Sequence, residues 1–442
     1  MYGIDFGTSN TVVTVREKGL TRVLDLGEGG VIPSLMYFER GKRPSIGREA
    51  MEDYSAALQR WRDTGNLYAR FRFFQALKLA LKDEHFEGTR LFGERIRVEA
   101  LVAIFLREVK RRADEATGGG SGRLVLGRPV VLSRDPAVDR MLQDRFREAA
   151  LLAGFEEVDF VYEPVAASVN CRDLGQGGSE TILVFDFGGG TLDISLARSR
   201  ARADLEEAED RARDGASSRD RGIEPLASVG RDLGGYLLNE DISRARIIRH
   251  FGAGGKFRTM TGRELEMPIW ITNQVASFYA LPLADISKTR AAIKDLVYDA
   301  RLGDKNKLKG LADFLDRNLA FDLFKRIDDA KIALSTEEEA KIAYAVKPWI
   351  DFSENLTRGE FETLIVPRVD AARDLVYAAL EAAKLEAAQV DRVVRVGGSS
   401  RVPAFAKMLE EIFPGHVEEG EVFTSIASGL LEARERGLQL PR

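Results

Sequence analysis

The sequence predicts an α/β fold in which two lobes face each other across a shared cleft, each lobe carrying an insertion. Three observations predict it. A β-rich run ending in a small, polar, glycine-containing turn occurs three times, amphipathic helices fill the intervals, and the first two turns stand about 180 residues apart. The length of 442 residues corresponds to roughly three folding units at about 150 residues each, enough for a substantial core.

The first run, Tyr2-Gly-Ile-Asp-Phe-Gly-Thr-Ser-Asn, continues into Thr-Val-Val-Thr-Val ending at Val15 and reads as a hairpin. The second, Thr181-Ile-Leu-Val-Phe-Asp-Phe-Gly-Gly-Gly-Thr191, continues into Leu-Asp-Ile-Ser-Leu and reads the same way. The third, Arg392-Val-Val-Arg-Val-Gly-Gly-Ser-Ser400, runs into Pro403 and a helical stretch from Ala404 to Ile412, a strand–turn–helix unit. Between them, Leu101, Phe105 and Val109 share one helix face, and Val369, Ala372, Val376, Ala379 and Ala383 share another. Gly118-Gly-Gly-Ser-Gly122 reads as a flexible connector. The charged stretch from Ser199 to Arg221 reads as a solvated excursion with too little apolar surface to order itself. The expected division is lobe I at 1–179, with core 1–38 and 99–179 and an inserted subdomain at 39–98. Lobe II is expected at 180–442, with core 180–232 and 362–442 and an inserted subdomain at 233–361.

Composition narrows the function. Sixty-five Lys and Arg against 70 Asp and Glu give a net charge of −5, so there is no overall positive field for nucleic acid. The single cysteine, Cys171, cannot form an internal disulfide, and His85, His250 and His416 are too scattered for a zinc site. The opening residues MYGIDFGTSN form a strand and turn instead of a secretion leader, so a cytoplasmic protein is expected. The uncharged stretch from Met267 to Ala284 contains Pro268 and Pro282 with Thr272, Asn273 and Gln274, and reads as buried globular structure instead of a membrane span.

A polyphosphate site needs backbone N–H groups at close range, hydroxyls beside them and carboxylates for a divalent cation. The turns supply that inventory. Gly7, Thr8 and Ser9 can wrap phosphates from one side, and Gly188, Gly189, Gly190 and Thr191 from the other. Asp5 and Asp186 end equivalent strands and suit a Mg²⁺ ion that keeps most of its water; Asp193 lies two residues past Thr191. A lone Asp at a strand end can merely satisfy turn N–H groups, but two matching motifs and the Val396-Gly-Gly-Ser-Ser turn together favour a nucleotide.

This set of motifs resembles the actin-like ATPase superfamily, in which a ribonuclease H-like unit is duplicated, and most closely the nucleotide-binding domain of the heat shock protein 70 family. The carrying residues are Gly3-Ile-Asp-Phe-Gly-Thr-Ser-Asn10, Glu163-Pro-Val-Ala-Ala-Ser168, Phe185-Asp-Phe-Gly-Gly-Gly-Thr-Leu-Asp193, Leu233-Gly-Gly235, Ala330-Lys-Ile-Ala-Leu-Ser335 and Val396-Gly-Gly-Ser-Ser-Arg-Val-Pro403. They occur in the family's order over almost the whole chain. The resemblance implies that Asp5 and Asp186 hold Mg²⁺ through water, that Thr8, Ser9, Asn10 and Thr191 belong to the phosphate site, and that Glu163 and Asp193 position the attacking water. Lys78, in Phe74-Gln-Ala-Leu-Lys-Leu, resembles the family's catalytic lysine. Gly234, Gly235, Asp328, Lys331, Ile332, Ser335, Gly397, Gly398, Ser399 and Arg401 match positions around the ribose and adenine.

The chain also departs from the family. Ile332 stands where an Arg usually stacks on adenine, and the acid one turn earlier is Asp328 instead of Glu, which predicts modest nucleotide affinity. Only 41 residues follow Arg401, too few for the family's β-sandwich peptide-binding domain, as in short bacterial relatives of the YegD type, which Met267-Pro-Ile-Trp270 also resembles. The expected function is Mg²⁺-dependent ATP binding and slow hydrolysis to ADP and phosphate, with lobe opening and closing as the output and a chaperone-related role. The expected partner is the adenine nucleotide, with no nucleic acid or membrane and with any client protein unnamed. An ATP-dependent filament protein, a sugar kinase and a nucleotide-binding pseudo-ATPase are the alternative readings.

Overall fold

A computed structural model describes residues 1–17, 19–64, 71–133, 135–171, 179–199, 223–258, 264–277, 279–283, 286–299, 302–420 and 425–437. The charged run from Ser199 to Arg221 therefore falls, beyond Ser199 itself, outside the described residues.

Both glycine-turn hairpins form, and each sits at the centre of its own mixed sheet. In the first sheet, strand Tyr2–Phe6 pairs antiparallel with Asn10–Glu17 on one side and parallel with Arg123–Arg128 on the other. Leu20–Val23 and Glu157–Tyr162 complete the two edges, and the short strand Ile32–Pro33 pairs off the path. In the second sheet, Glu180–Phe187 pairs antiparallel with Leu192–Ser199 and parallel with Arg392–Val396, with Ile223–Arg231 and Val417–Glu419 at the edges. The two sheets share one strand order and one set of directions, the mark of a duplicated lobe. Both central strands are apolar and buried on both faces, as strands covered by helices must be.

Helices cover the sheets. Val98–Thr117 buries Leu101, Phe105 and Val109 against the first sheet's core, and Val366–Ala383 buries Ala372, Val376 and Ala379 against the second. Pro136–Leu152 starts cleanly because Asp135 accepts from the Ala137 and Val138 N–H groups and Pro136 needs no donor partner. Gly118 ends Val98–Thr117 in a left-handed conformation at φ 68°. The glycine-rich stretch read as a connector is thus a helix cap, further pinned by hydrogen bonds from Thr117 Oγ1 (2.7 Å) and the Tyr2 hydroxyl (3.2 Å) to the Gly119 carbonyl.

Two further subassemblies sit above the sheets. One holds the three-stranded sheet of Met36–Glu39, Ser45–Ile46 and Phe71–Phe74 with helix Gly47–Thr64. The other holds helices Leu302–Asp316 and Ala320–Ala333 with the hairpin Glu339–Val346 and Ile350–Thr357. The uncharged stretch after Glu266 is only partly buried: Met267, Ile271, Val275, Ala276, Leu281 and Leu283 are inside, while Ile269 and Trp270 face solvent. No described helix is long and apolar enough to cross a membrane.

Candidate functional site

The two hairpin turns meet. Thr8 and Ser9 of the first approach Gly189 and Gly190 of the second so closely that a Cβ on Gly189 would lie 2.4 Å from Ser9 Oγ, and one on Gly190 would lie 2.5 Å from Thr8 Oγ1. Only glycine permits that approach. A cleft of roughly 220 Å³ opens beside them. It is lined by Asp5, Gly7, Thr8, Ser9, Asn10, Lys78, Glu163, Asp186, Gly188, Gly189, Gly190, Thr191, Asp328, Lys331, Ile332, Gly397, Gly398 and Ser399, all candidates from the sequence.

Two carbonyl oxygens of each turn are tied down. Ser34 donates to both sides of the first turn, from its N–H to the Ser9 carbonyl (2.8 Å) and from its hydroxyl to the Gly7 carbonyl (2.8 Å). In the second turn the Gly188 carbonyl accepts from the Gly235 N–H (3.0 Å) and the Ser399 hydroxyl (2.9 Å), and the Gly189 carbonyl accepts from the Tyr236 N–H (2.9 Å). The N–H groups of Thr8, Ser9, Gly189 and Gly190 donate to no acceptor among the described residues. Carbonyls that would repel an anion are engaged, and N–H groups that would attract one are left over.

Below the turns lies a cluster of carboxylates around one ammonium. Lys78 Nζ donates to Glu163 Oε1 at 2.5 Å, and both side chains are almost completely buried. Burial pushes the Asp5 carboxyl up to about 7, Glu163 adds to the push, and Lys78 opposes it. Burial likewise holds Asp186 well above the usual carboxylate range, reinforced by Glu163, Asp193 and Asp5. Asp193 is pushed up to about 6, first by burial and then by Glu163. Burial alone would lower the Lys78 ammonium, but Glu163 and Asp5 outweigh it and raise it. The register explains the crowding. Asp186 and Asp193 are direct partners across the antiparallel pair, where like charges repel.

The other candidates stand nearby or apart. Asp193 is buried behind the cleft, where its Oδ1 accepts from the Val130 N–H at 3.1 Å and its Oδ2 has no hydrogen-bond partner among the described residues. Gly234 and Gly235 buttress the second turn: a Cβ on Gly234 would lie 2.3 Å from the Gly190 backbone, and one on Gly235 would lie 2.3 Å from Ser399 Oγ. Lys331 Nζ bonds Asp328 Oδ1 at 2.6 Å, and Asn239 Nδ2 bonds the same oxygen at 2.9 Å. Ser335 and Arg401 do not line the cleft. Ser335 caps its helix through an N–H bond to the Ile332 carbonyl, and Arg401 Nε pairs with Glu419 at 2.7 Å on the surface.

Val12, Tyr236 and Ile426 also line the cleft and are absent from the sequence candidates. Val12 was within reach of the repeat: it follows Asp5 by the same seven positions by which Asp193 follows Asp186. Tyr236 directly follows Gly235, whereas nothing around Ile426 marks it.

The donor set was tested for a divalent cation. Asp5, half-buried, and Asp186, buried, are carboxylates held high first by desolvation and then by neighbouring carboxylates, and a nearby cation would relieve both. No group of three or more His, Cys, Asp or Glu among the described residues could cage a metal outright. Hard oxygen donors in small number suit an ion that retains much of its water, so the residues fit Mg²⁺.

Comparison with known proteins points the same way. A family model described as Hsp70 protein matches residues 1–201 and 302–421. The chaperone protein DnaK of Thermus thermophilus is 26% identical over 431 residues, covering 93% of this chain and 56% of that protein. DnaK of Thermosipho africanus is 26% identical over 419 residues, with 93% and 54% covered. The chaperone protein HscA homolog of Azotobacter vinelandii is 26% identical over 423 residues, with 93% and 53% covered. The chain spans about half the length of the curated relatives it matches.

Proposed function

This chain belongs to the Hsp70 protein family, and we propose that it binds ATP with Mg²⁺ in the cleft and hydrolyses it slowly to ADP and phosphate, in a chaperone-related role. The observation that carries the reading is the pair of facing turns with engaged carbonyls and unclaimed N–H groups, set above buried carboxylates. A polyanion–cation pair satisfies both halves at once.

On this reading Thr8, Ser9, Gly189, Gly190 and Thr191 bind the phosphates, and Gly397, Gly398, Ser399, Asp328, Lys331 and Ile332 face the nucleoside. Asp5 and Asp186 would hold Mg²⁺, which would neutralise phosphate charge when bound. Lys78 would stabilise the charge that builds on the terminal phosphate, and its bond to Glu163 fixes where the ammonium sits. Glu163 would orient the attacking water from the cleft wall, and Asp193, whose carboxyl near 6 can hold a proton without strong basicity, would support it from behind, in keeping with slow turnover. Contacts from both turns to the terminal phosphate would favour a closed cleft, and their loss would favour opening.

Calorimetric titration with ATP and ADP, with and without Mg²⁺, followed by phosphate release on the same sample, tests the reading. Mg²⁺-dependent binding and steady release are expected; no binding of either nucleotide overturns it. Asp186→Asn and Thr191→Ala should each lower release by about tenfold or more while the protein stays folded, since hydrogen bonds to charged groups contribute about 1.5–3 kcal/mol. Unchanged release in both would remove these residues from the site.

A further inference from the structure

Tyr236 reaches the cleft from an unusual direction. Its ring is buried among apolar neighbours, tilted against Tyr279 at 5.0 Å and edge-on to Phe324 at 5.0 Å, so the packing dictates where the hydroxyl points. That hydroxyl lies on the cleft wall, 3.4 Å from Ser9 Oγ, which donates to it. Ser9 belongs to the first hairpin and Tyr236 to the helix Gly235–Ile242 that buttresses the second, so the contact crosses the cleft.

The hydrogen-bond inventory leaves one group over. A phenol can accept and donate, and here it accepts from Ser9 while its own proton meets no acceptor among the described residues. Burial raises its pKa, so the proton stays on at any ordinary pH. The Asp328 carboxylate acts on it across the cleft, and Ser9, Gly189 and Gly190, whose N–H groups are unclaimed, line the same cleft.

We propose that Tyr236 is a further phosphate-binding residue, its hydroxyl donating to an oxygen of the nucleotide's polyphosphate while its ring fixes that donor in place. The inference rests on the nucleotide reading above. A water in the same position would need ordering on each binding event, whereas the packed phenol is already oriented. Because the hydroxyl also accepts from Ser9, it ties the two turns together over the bound phosphate.

Tyr236→Phe keeps the ring and removes only the hydroxyl, and Tyr279→Phe removes a hydroxyl from the neighbouring ring that does not line this cleft. The measurements are ADP affinity with Mg²⁺ by calorimetry and the melting temperature without ligand. The expected result is about tenfold weaker ADP binding for Tyr236→Phe, with no change for Tyr279→Phe and ligand-free melting unchanged in both. Unaltered ADP affinity in Tyr236→Phe overturns the inference, and so does an equal loss in Tyr279→Phe, which would assign the effect to packing. If wild-type protein binds no ADP, the nucleotide reading itself fails and this role falls with it.

Discussion

Asp5 carries a folding cost that the ligand-free protein must bear. Its carboxyl ordinarily titrates near 3.8 and is pushed up to about 7 in the fold, first by burial and then by Glu163. Between those values the native state holds a proton that the unfolded chain has released, so stability falls as pH rises through about 4 to 7. Above about 7 the penalty is complete, and below about 4 it is absent. Asp5→Asn should therefore stabilise the ligand-free protein at pH 8, by something on the order of 1–3 kcal/mol, and do nothing at pH 4. Urea unfolding at the two pH values checks it; equal effects at both would show that Asp5 ionises freely. Ile332 presents the opposite situation. It is 58% exposed while lining the cleft at the end proposed for the nucleoside, so an apolar side chain offers its surface where a guanidinium could lie flat on a base. Ile332→Arg should tighten ADP binding by about threefold to tenfold through cation–π attraction. Calorimetry showing no gain would mean that the base does not sit over this position.

Among elements, the hairpins were legible because their information is local. An apolar run, an Asp, and a glycine turn within ten residues dictate a tight reversal, and the identical spacing in Tyr2–Val15 and Thr181–Leu196 exposed the duplication. Lys78 stands out in the sequence only through a resemblance, and the fold sets its ammonium against Glu163, 85 positions away. Tyr236 was missed because an aromatic after two glycines carries no spacing rule, and its orientation depends on Tyr279 and Phe324, far along the chain. Arg401 matches a family position around the ribose and adenine, but the short 3₁₀ segment Gly398–Arg401 delivers it to Glu419 at the surface. The helix Ser425–Glu435 shows how far contacts can override sequence order. Near the chain's end, it returns to the first sheet: Thr14 Oγ1 donates to the Ala427 carbonyl at 2.8 Å and Arg434 pairs with Asp159 at 2.7 Å. It also crosses helix Glu163–Cys171 so closely that a Cβ on Gly429 would lie 1.9 Å from the Ala166 carbonyl oxygen. Gly429→Ala should force the two helices apart and cost about 1–3 kcal/mol, read as a lower urea midpoint. Because Glu163 begins the displaced helix, phosphate release should fall as well; an unshifted midpoint would mean that the crossing relaxes freely.

At the scale of the molecule, the two subassemblies above the sheets touch each other. Phe321 packs on Phe73 at 4.2 Å and meets Tyr54 edge-on at 5.4 Å, and the Arg317 guanidinium lies over the Trp61 ring at 4.0 Å. The Tyr54 hydroxyl donates to the Asn318 carbonyl at 3.0 Å, and Lys82 pairs with Asp232 at 2.6 Å lower in the same seam. These partners belong to segments 150 or more residues apart, so their contact depends on the tertiary arrangement and not on anything local in either segment. Opening wide enough to release a nucleotide would separate them, exposing aromatic surface and breaking pairs that contribute about 0.5–1.5 kcal/mol each beyond burial. The clasp should therefore limit how fast bound ADP leaves, independently of how well the turns hold its phosphates. Phe321→Leu retains an apolar side chain and removes the ring, so it should loosen the clasp while sparing the core of its own helix. The expected outcome is several-fold faster dissociation of a fluorescent ADP analogue in stopped flow, from a protein that melts a few degrees lower but stays folded. Had release instead been governed by the turns alone, Phe321→Leu would leave that rate as it is, and only substitutions at Thr8, Ser9 or Thr191 would move it.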